Sequence, residues 1–182
     1  MSYLALDTET TGVNPKTSQI LSIGAVIDDC ESPISELPSC RFVLDHDRII
    51  GDPAALRMNA GLIEEIAEGS EDLVQPEHAA VALAYWLENE NGVDLSSPIT
   101  VAGKNVGNFD IPFLEELDRW DDLFTTRSRT IDPTPLYFKP TEETVPPDLE
   151  ECKRRAGFDD EEVAHDAAKD AMDVCRLLRH AK

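Results

Sequence analysis

The segment from Tyr3 to Glu9, YLALDTE, sets two carboxylates into an otherwise apolar run. Side chains alternate along an extended chain, so Leu4, Leu6 and Thr8 face one way and Tyr3, Ala5, Asp7 and Glu9 the other. Asp7 and Glu9 therefore project from one face, about 6.5–7 Å apart along the strand. A charged pair among apolar neighbours is costly unless a cation or hydrogen bonds compensate it. Either the fold brings further groups over that face or the strand end surfaces into solvent, and spacing alone weighs the two equally.

The rest of the chain supplies a frame for this strand. Residues 19–28, QILSIGAVID, and 40–44, CRFVL, read as second and third strands, parted by a polar loop carrying Pro33 and Pro38. Pro53 opens a short helix through Met58, and LIEEIAEG resumes after Ala60-Gly61. From Pro76 to Asn89 an apolar stripe of Ala79, Ala80, Leu83, Ala84 and Leu87 marks a helix stopped by Gly92. A fourth strand is expected at Ile99–Ala102, a helix from about Asp110 to Trp120, and a short fifth strand at Arg129–Ile131. The proline-rich stretch 134–147 suits the rim of a site. Asp148 caps a helix that turns Leu149, Cys152 and Ala156 inward, and the last helix runs from about Val163 to Arg179. This order predicts an α/β fold with a central mixed five-stranded sheet, antiparallel at first, flanked by helices. At 182 residues the chain can enclose one full-sized core, so residues 1–182 are expected to form a single domain.

Two further acidic elements join the first. Asp110 stands in GKNVGNFDIPFL, where a strand gives way to a helix, the crevice position at which open α/β sheets place ligands. An aspartate there is equally a helix cap. In HDAAKDAMD, Asp170 borders the packed stripe of Ala167, Ala171 and Val174, while Asp166 and Asp173 compete for its role and Asp166 is assigned to the surface. His165 lies about a turn and a half before Asp170, near the helix start. An imidazole titrates near neutral pH, and neighbouring acids raise its basicity, so it can take a proton from water. Each residue singly is most often structural; the set carries the weight. Oxygen donors without paired histidines or a CxxC pair suit magnesium or manganese.

Asp7-Thr8-Glu9-Thr10-Thr11-Gly12, Asn105 with Phe109-Asp110, and His165 through Asp170 stand in this order, separated by about 100 and then 60 residues. Together they resemble the three motifs of the DEDD 3′→5′ exonucleases. The H-x-A-x-x-D spacing is similar to the DEDDh branch, which includes proofreading exonuclease subunits and ribonuclease T, and the resemblance covers almost the whole chain. It implies a ribonuclease H-like fold, with Asp7, Glu9, Asp110 and Asp170 as ligands of two Mg2+ or Mn2+ ions and His165 as general base. It further implies hydrolysis at the 3′ end of single-stranded DNA with release of nucleoside 5′-monophosphates. On the same basis Thr10, Thr11 and Gly12 would receive the terminal nucleotide, and Asn105 would fix its turn or touch substrate. Asp132 matches a supporting aspartate without a metal. The second motif, N-x-x-x-F-D, is one residue longer than that of typical proofreading subunits, and PPDLEECKRRAGF lacks the Ser or His that many relatives place before the leucine.

Charge bears on partners. With 37 acids against 16 bases, the chain carries a formal net charge of −21, which opposes a broad static grip on nucleic acid. A small site whose metal ions reverse the local potential escapes that objection. Residues 1–100 hold 4 bases and 18 acids, and residues 101–182 hold 12 and 19. Any substrate track is therefore expected among Arg127, Arg129, Lys139, Lys153, Arg154 and Arg155. The expected partner is a single-stranded 3′ end, with a homodimer or a polymerase or repair partner also open. Trimming of RNA ends and an inactive binding subunit are the rival readings. No basic leader precedes Tyr3 and no apolar run is long enough to span a bilayer, so a cytoplasmic location without a membrane is expected.

Overall fold

Ile20–Asp28 is buried at all nine positions and forms β2, the middle of the sheet. A strand covered on both faces reads as a continuous apolar run, and ILSIGAVID is one. In the structure, a computed structural model that describes residues 3–69, 73–158 and 166–181, β1 (Tyr3–Thr10) pairs antiparallel with one edge of β2. On the other edge lies β3 (Ser39–Val43), also antiparallel. A two-residue strand, β4 (Val101–Ala102), runs parallel to β1, giving the order β3-β2-β1-β4.

Among the described residues the sheet therefore has four strands, not the expected five. Arg129–Ile131 does reach β4, but only by a single parallel bridge from Ile131 to Ala102, and Thr126 bridges Ile99 in the same way. Between those bridges the β4 side advances three residues, 99 to 102, while its neighbour advances five, 126 to 131. Two surplus residues throw the segment out of register, and no continuous ladder forms. Hydrogen bonds of 2.9 Å from Ile131 N–H to the Val101 carbonyl and from Gly103 N–H to the Ile131 carbonyl still tie it down.

Helices cover both faces. Leu4, Leu6 and Ile23 pack against Leu83 and Leu87 from α3 (Ala79–Tyr85) and the wider π-helical turn Trp86–Glu90 that continues it. The same core takes Ile111 and Phe113 of α4 (Asp110–Leu114) and Trp120 of α5 (Trp120–Leu123). One helix from Asp110 to Trp120 was expected; instead α4 ends at Leu114, and Arg119, at φ 64°, turns left-handed just before α5. Leu62 and Ile66 of α2 (Ala60–Glu68), which follows α1 (Pro53–Met58), pack on Leu21 and Val43. Across the opposite face of β1 lies α7 (Ala167–His180), through Ala171, Val174, Cys175 and Leu178 against Tyr3, Ala5 and Val26. Beside it, α6 (Leu149–Ala156) starts at Asp148, whose side chain accepts from the Glu151 N–H, and stops at left-handed Gly157.

The two ends of α7 are fixed by different chemistry. Asp166 accepts from the N–H groups of Ala168 and Lys169 at 3.0 and 3.2 Å, so it is a half-buried N-cap and not the surface residue expected. The cap places the helix start at Ala167; the expected start at Val163 lies outside the described residues. At the far end Arg179 donates to Asp28, which is fully buried and also receives the Tyr3 hydroxyl. Burial alone would raise the Asp28 carboxyl, but the hydrogen bonds from Arg179, Tyr3 and the Cys30 N–H hold it below the usual carboxylate range. Among the described residues no helix is long and apolar enough to cross a membrane.

Candidate active site

Register carries the site. Asp7 on β1 pairs with Gly24 on β2, and Gly24 pairs with Arg41 on β3, so the three share the face that α7 covers. Gly24 supplies a gap in that row. A Cβ on it would lie 2.0 Å from the Ala167 carbonyl carbon and 2.3 Å from the Ala168 nitrogen, so the first turn of α7 rests directly on the strand backbone. That approach lowers Asp170, one turn further along α7, onto β1.

Asp7, Glu9 and Asp170 each present a carboxylate oxygen, and these oxygens lie within 4.8 Å of one another. Asp110 approaches from the start of α4, almost fully buried, and accepts a 2.8 Å hydrogen bond from the Thr8 hydroxyl. An open cleft of about 270 Å3 beside the cluster is lined by Asp7, Thr8, Lys104, Asn105, Phe109 and Asp110. Burial, then repulsion from Asp110, Asp170 and Glu9, pushes the Asp7 carboxyl well above its ordinary range, with Lys104 acting the other way. Burial and the Asp170 charge push Glu9 up to about 7, against a hydrogen bond from Asn59. Asp110 rises to about 6 through burial, opposed by its hydrogen bond with Thr8. Such crowding is what a bound cation relieves, and all donors are hard oxygens. The residues fit a divalent cation.

The other expected site residues take different places. Thr10, Thr11 and Gly12 are buried, and their polar groups build the turn. The Thr10 hydroxyl donates to the Gly12 carbonyl at 2.7 Å, and the Thr11 hydroxyl accepts from the Gln19 N–H at 2.8 Å. Thr11 also donates its own N–H to the Gln19 carbonyl, and its carbonyl accepts from the Asp52 N–H. Their hydroxyls are thus engaged within the turn that follows β1. Asn105 is exposed on the cleft in a left-handed conformation, φ 54°, and its N–H donates to Asp132 at 2.9 Å. Asp132 also accepts from the N–H and hydroxyl of Thr134. His165 lies outside the described residues.

Four contributors were not expected. Gly24 is one; a glycine inside a buried strand was its only sequence signal. Asn59, nearly buried between α1 and α2, hydrogen-bonds Glu9 and donates to the Thr10 carbonyl at 3.1 Å. Arg41 grips Glu65 of α2 with two bonds of 2.9 and 2.8 Å and sets its Nε 3.8 Å from the capping Asp166. Lys104 overlooks the cleft. The anticipated cation track is largely committed elsewhere. Lys153 pairs with Glu150 and Asp173, Lys139 with Glu142, Arg154 with Glu151, and Arg155 with Glu143 and Glu151. Arg127 lines a separate pocket with Ile27, Gly92 and Asp94.

No family model and no curated protein matches the sequence. Solved structures do match the fold. E. coli exonuclease I in complex with a dA16 oligonucleotide superposes with a TM-score of 0.66 at 16% identity, over 99% of this chain and 40% of that one. The zinc-bound form of the E. coli exonuclease I complex with single-stranded DNA gives 0.66 at 17% identity, over 99% and 40%. Exonuclease I from Methylocaldum szegediense gives 0.62 at 19% identity, over 98% and 39%. The chain thus spans about 40% of the length of these proteins, and at such identities the likeness establishes a shared fold.

Proposed function

We propose that this chain is a metal-dependent 3′→5′ exonuclease that hydrolyses phosphodiester bonds at the 3′ end of single-stranded DNA. The observation that carries the proposal is the meeting of Asp7 and Glu9 of β1 with Asp170 of α7, distant in sequence, within 4.8 Å, with Asp110 on the adjoining cleft. A structural protein gains nothing from crowding acids at half-buried positions. The fold is that of exonucleases solved with single-stranded DNA, which favours DNA over RNA as substrate.

Asp7, Glu9, Asp110 and Asp170 would hold two divalent cations, which when bound lower the pKa of water and neutralise charge developing at phosphorus and the departing 3′-oxygen. Asp7 and Glu9 are presented by a rigid central strand and Asp170 by a helix seated on it, which keeps the donors preorganised. The Thr8 hydroxyl orients Asp110 by donating to one of its oxygens. His165, five residues before Asp170, is proposed as the general base that takes the proton of the attacking water. The backbone of the Thr10–Gly12 turn and Asn105 would receive the terminal nucleotide.

Digestion of 5′-labelled single-stranded DNA, single-stranded RNA and duplex, with magnesium, manganese or chelator, tests the proposal. A ladder shortening from the 3′ end of the DNA strand and abolished by chelation is expected. Asp7→Asn and Asp170→Asn should each remove cleavage while keeping the fold, and His165→Ala should slow it while leaving metal binding intact. Wild-type rates in either aspartate variant would refute the assignment.

A further inference from the structure

Lys104 is the one cation among the described residues that line the cleft, and it forms no ion pair with them. Its charge nevertheless reaches the cluster, since it favours the ionised forms of both Asp7 and Asp110. The backbone that carries it is clamped from both sides. Gly103 has no room for a side chain, because a Cβ would lie 2.6 Å from the Leu6 carbonyl oxygen and 2.7 Å from Val106 Cβ. The Gly103 N–H is bonded to the Ile131 carbonyl, and Asn105 is held left-handed by its bond to Asp132. Strain of this kind persists where surrounding contacts over-determine it, and it concentrates at ligand sites. Here it fixes the root of an exposed lysine beside the carboxylates.

We infer that Lys104 binds a backbone phosphate of the single strand and sets substrate affinity, an inference that rests on the exonuclease reading above. A lysine ammonium is a compact point charge that holds a phosphate without reading the base, as a sequence-tolerant end-trimming site requires. The acidic surface repels a polyanion, and most of the other cations of residues 101–182 near α6 are tied to acids. A single unpaired cation at the cleft therefore carries a disproportionate share of the strand contact.

Equilibrium binding of a fluorescein-labelled oligo-dT strand, blocked at its 3′ end by a phosphorothioate linkage, tests this by anisotropy over a series of salt concentrations with manganese present. Cleavage of the unblocked strand is followed in parallel. Lys104→Met should weaken Kd about tenfold, the weight of one charge-assisted hydrogen bond. Its plot of log Kd against log salt should flatten by about 0.7, the share of one phosphate contact on a single strand. Lys104→Arg should restore both. An unchanged salt slope would overturn the inference, and so would a fall confined to kcat, which would make Lys104 a tuner of the carboxylates. Binding without cleavage by the wild type would defeat the exonuclease reading while the slope still decided the role of Lys104; no binding at all would defeat both.

Discussion

Gly24→Ala is the sharpest test of how the site is assembled. The added Cβ would sit 2.0 and 2.1 Å from the carbonyl carbon and oxygen of Ala167 and 2.3 Å from the Ala168 nitrogen. Carbon contacts settle at ~3.5–4.0 Å, so the first turn of α7 must retreat by roughly 1.5–2 Å. No flexible side-chain end can absorb this, because all three atoms are backbone. The far end of α7 stays pinned through Arg179 and Asp28, so the helix pivots and its N-terminal turn takes most of the shift. Asp170, three residues beyond Ala167, moves with that turn while Asp7 and Glu9 stay on β1. Ligand sets tolerate displacements of only about 0.5 Å, and about 1 Å of misplacement can reduce a rate ~100-fold. Overpacking should also remove about 1–3 kcal/mol of stability. Urea unfolding, the Mn2+-induced rise in Tm and cleavage of a 5′-labelled strand read the three consequences separately. A variant that lost stability but kept wild-type Mn2+ affinity and cleavage would show that the α7–β2 contact does not position Asp170.

Two other outcomes follow from the electrostatics. Glu9 has a folded pKa of about 7 against an ordinary 4.5, so the native metal-free protein binds more protons than the unfolded chain between those values. Its stability should therefore fall as pH rises from about 4.5 to 7, by up to roughly 3 kcal/mol from this group, with Asp7 and Asp110 shifting the same way. Magnesium should raise Tm strongly at pH 8 and little at pH 5; a metal-free Tm that is flat between pH 5 and 8 would contradict the crowding of the acids. Arg179→Met leaves Asp28 buried without its cationic partner and should destabilise the protein by about 3–5 kcal/mol in urea unfolding. A loss below about 1 kcal/mol would show that Tyr3 and the Cys30 N–H satisfy Asp28 by themselves.

What the sequence disclosed follows physical range. The first three strands, the shared face of Asp7 and Glu9, and the inward stripe of the last helix rest on local periodicity, and the structure shows them where periodicity puts them. Local pattern does not encode how many residues bridge two contacts, so two surplus residues between Thr126 and Ile131 removed the fifth strand unannounced. Nor does it foresee the end of α4 at Leu114 or the left-handed turn at Arg119 before α5. Asp166 was assigned to the surface from its helical angle, but a residue at a helix boundary obeys capping geometry instead. Gly24 and Asn59 act through partners more than 45 residues away, Ala167 and Thr10, and no pattern within either segment points there. Lys104 stood inside a recognised motif, yet its position over the cleft depends on Asp132, 27 residues downstream of the residue it anchors.

On the proposed function, charge distribution reconciles an acidic protein with a polyanionic substrate. Arg155 joins α6 to Glu143 of the preceding loop and Lys153 joins α6 to Asp173 of α7, so these two cations act as fasteners between elements. Arg41 does the same between β3 and α2. On the proposed function, attraction for a strand at the cleft would come from bound metal ions and from Lys104, against a surface whose net charge repels. Repulsion everywhere except at the site weakens non-specific adsorption along a strand and leaves its free end as the place where binding is favourable. On this account neutralising acids remote from the cleft should strengthen overall DNA binding and its salt dependence without raising kcat, since the chemistry depends on the four carboxylates rather than on how long the strand dwells elsewhere on the surface.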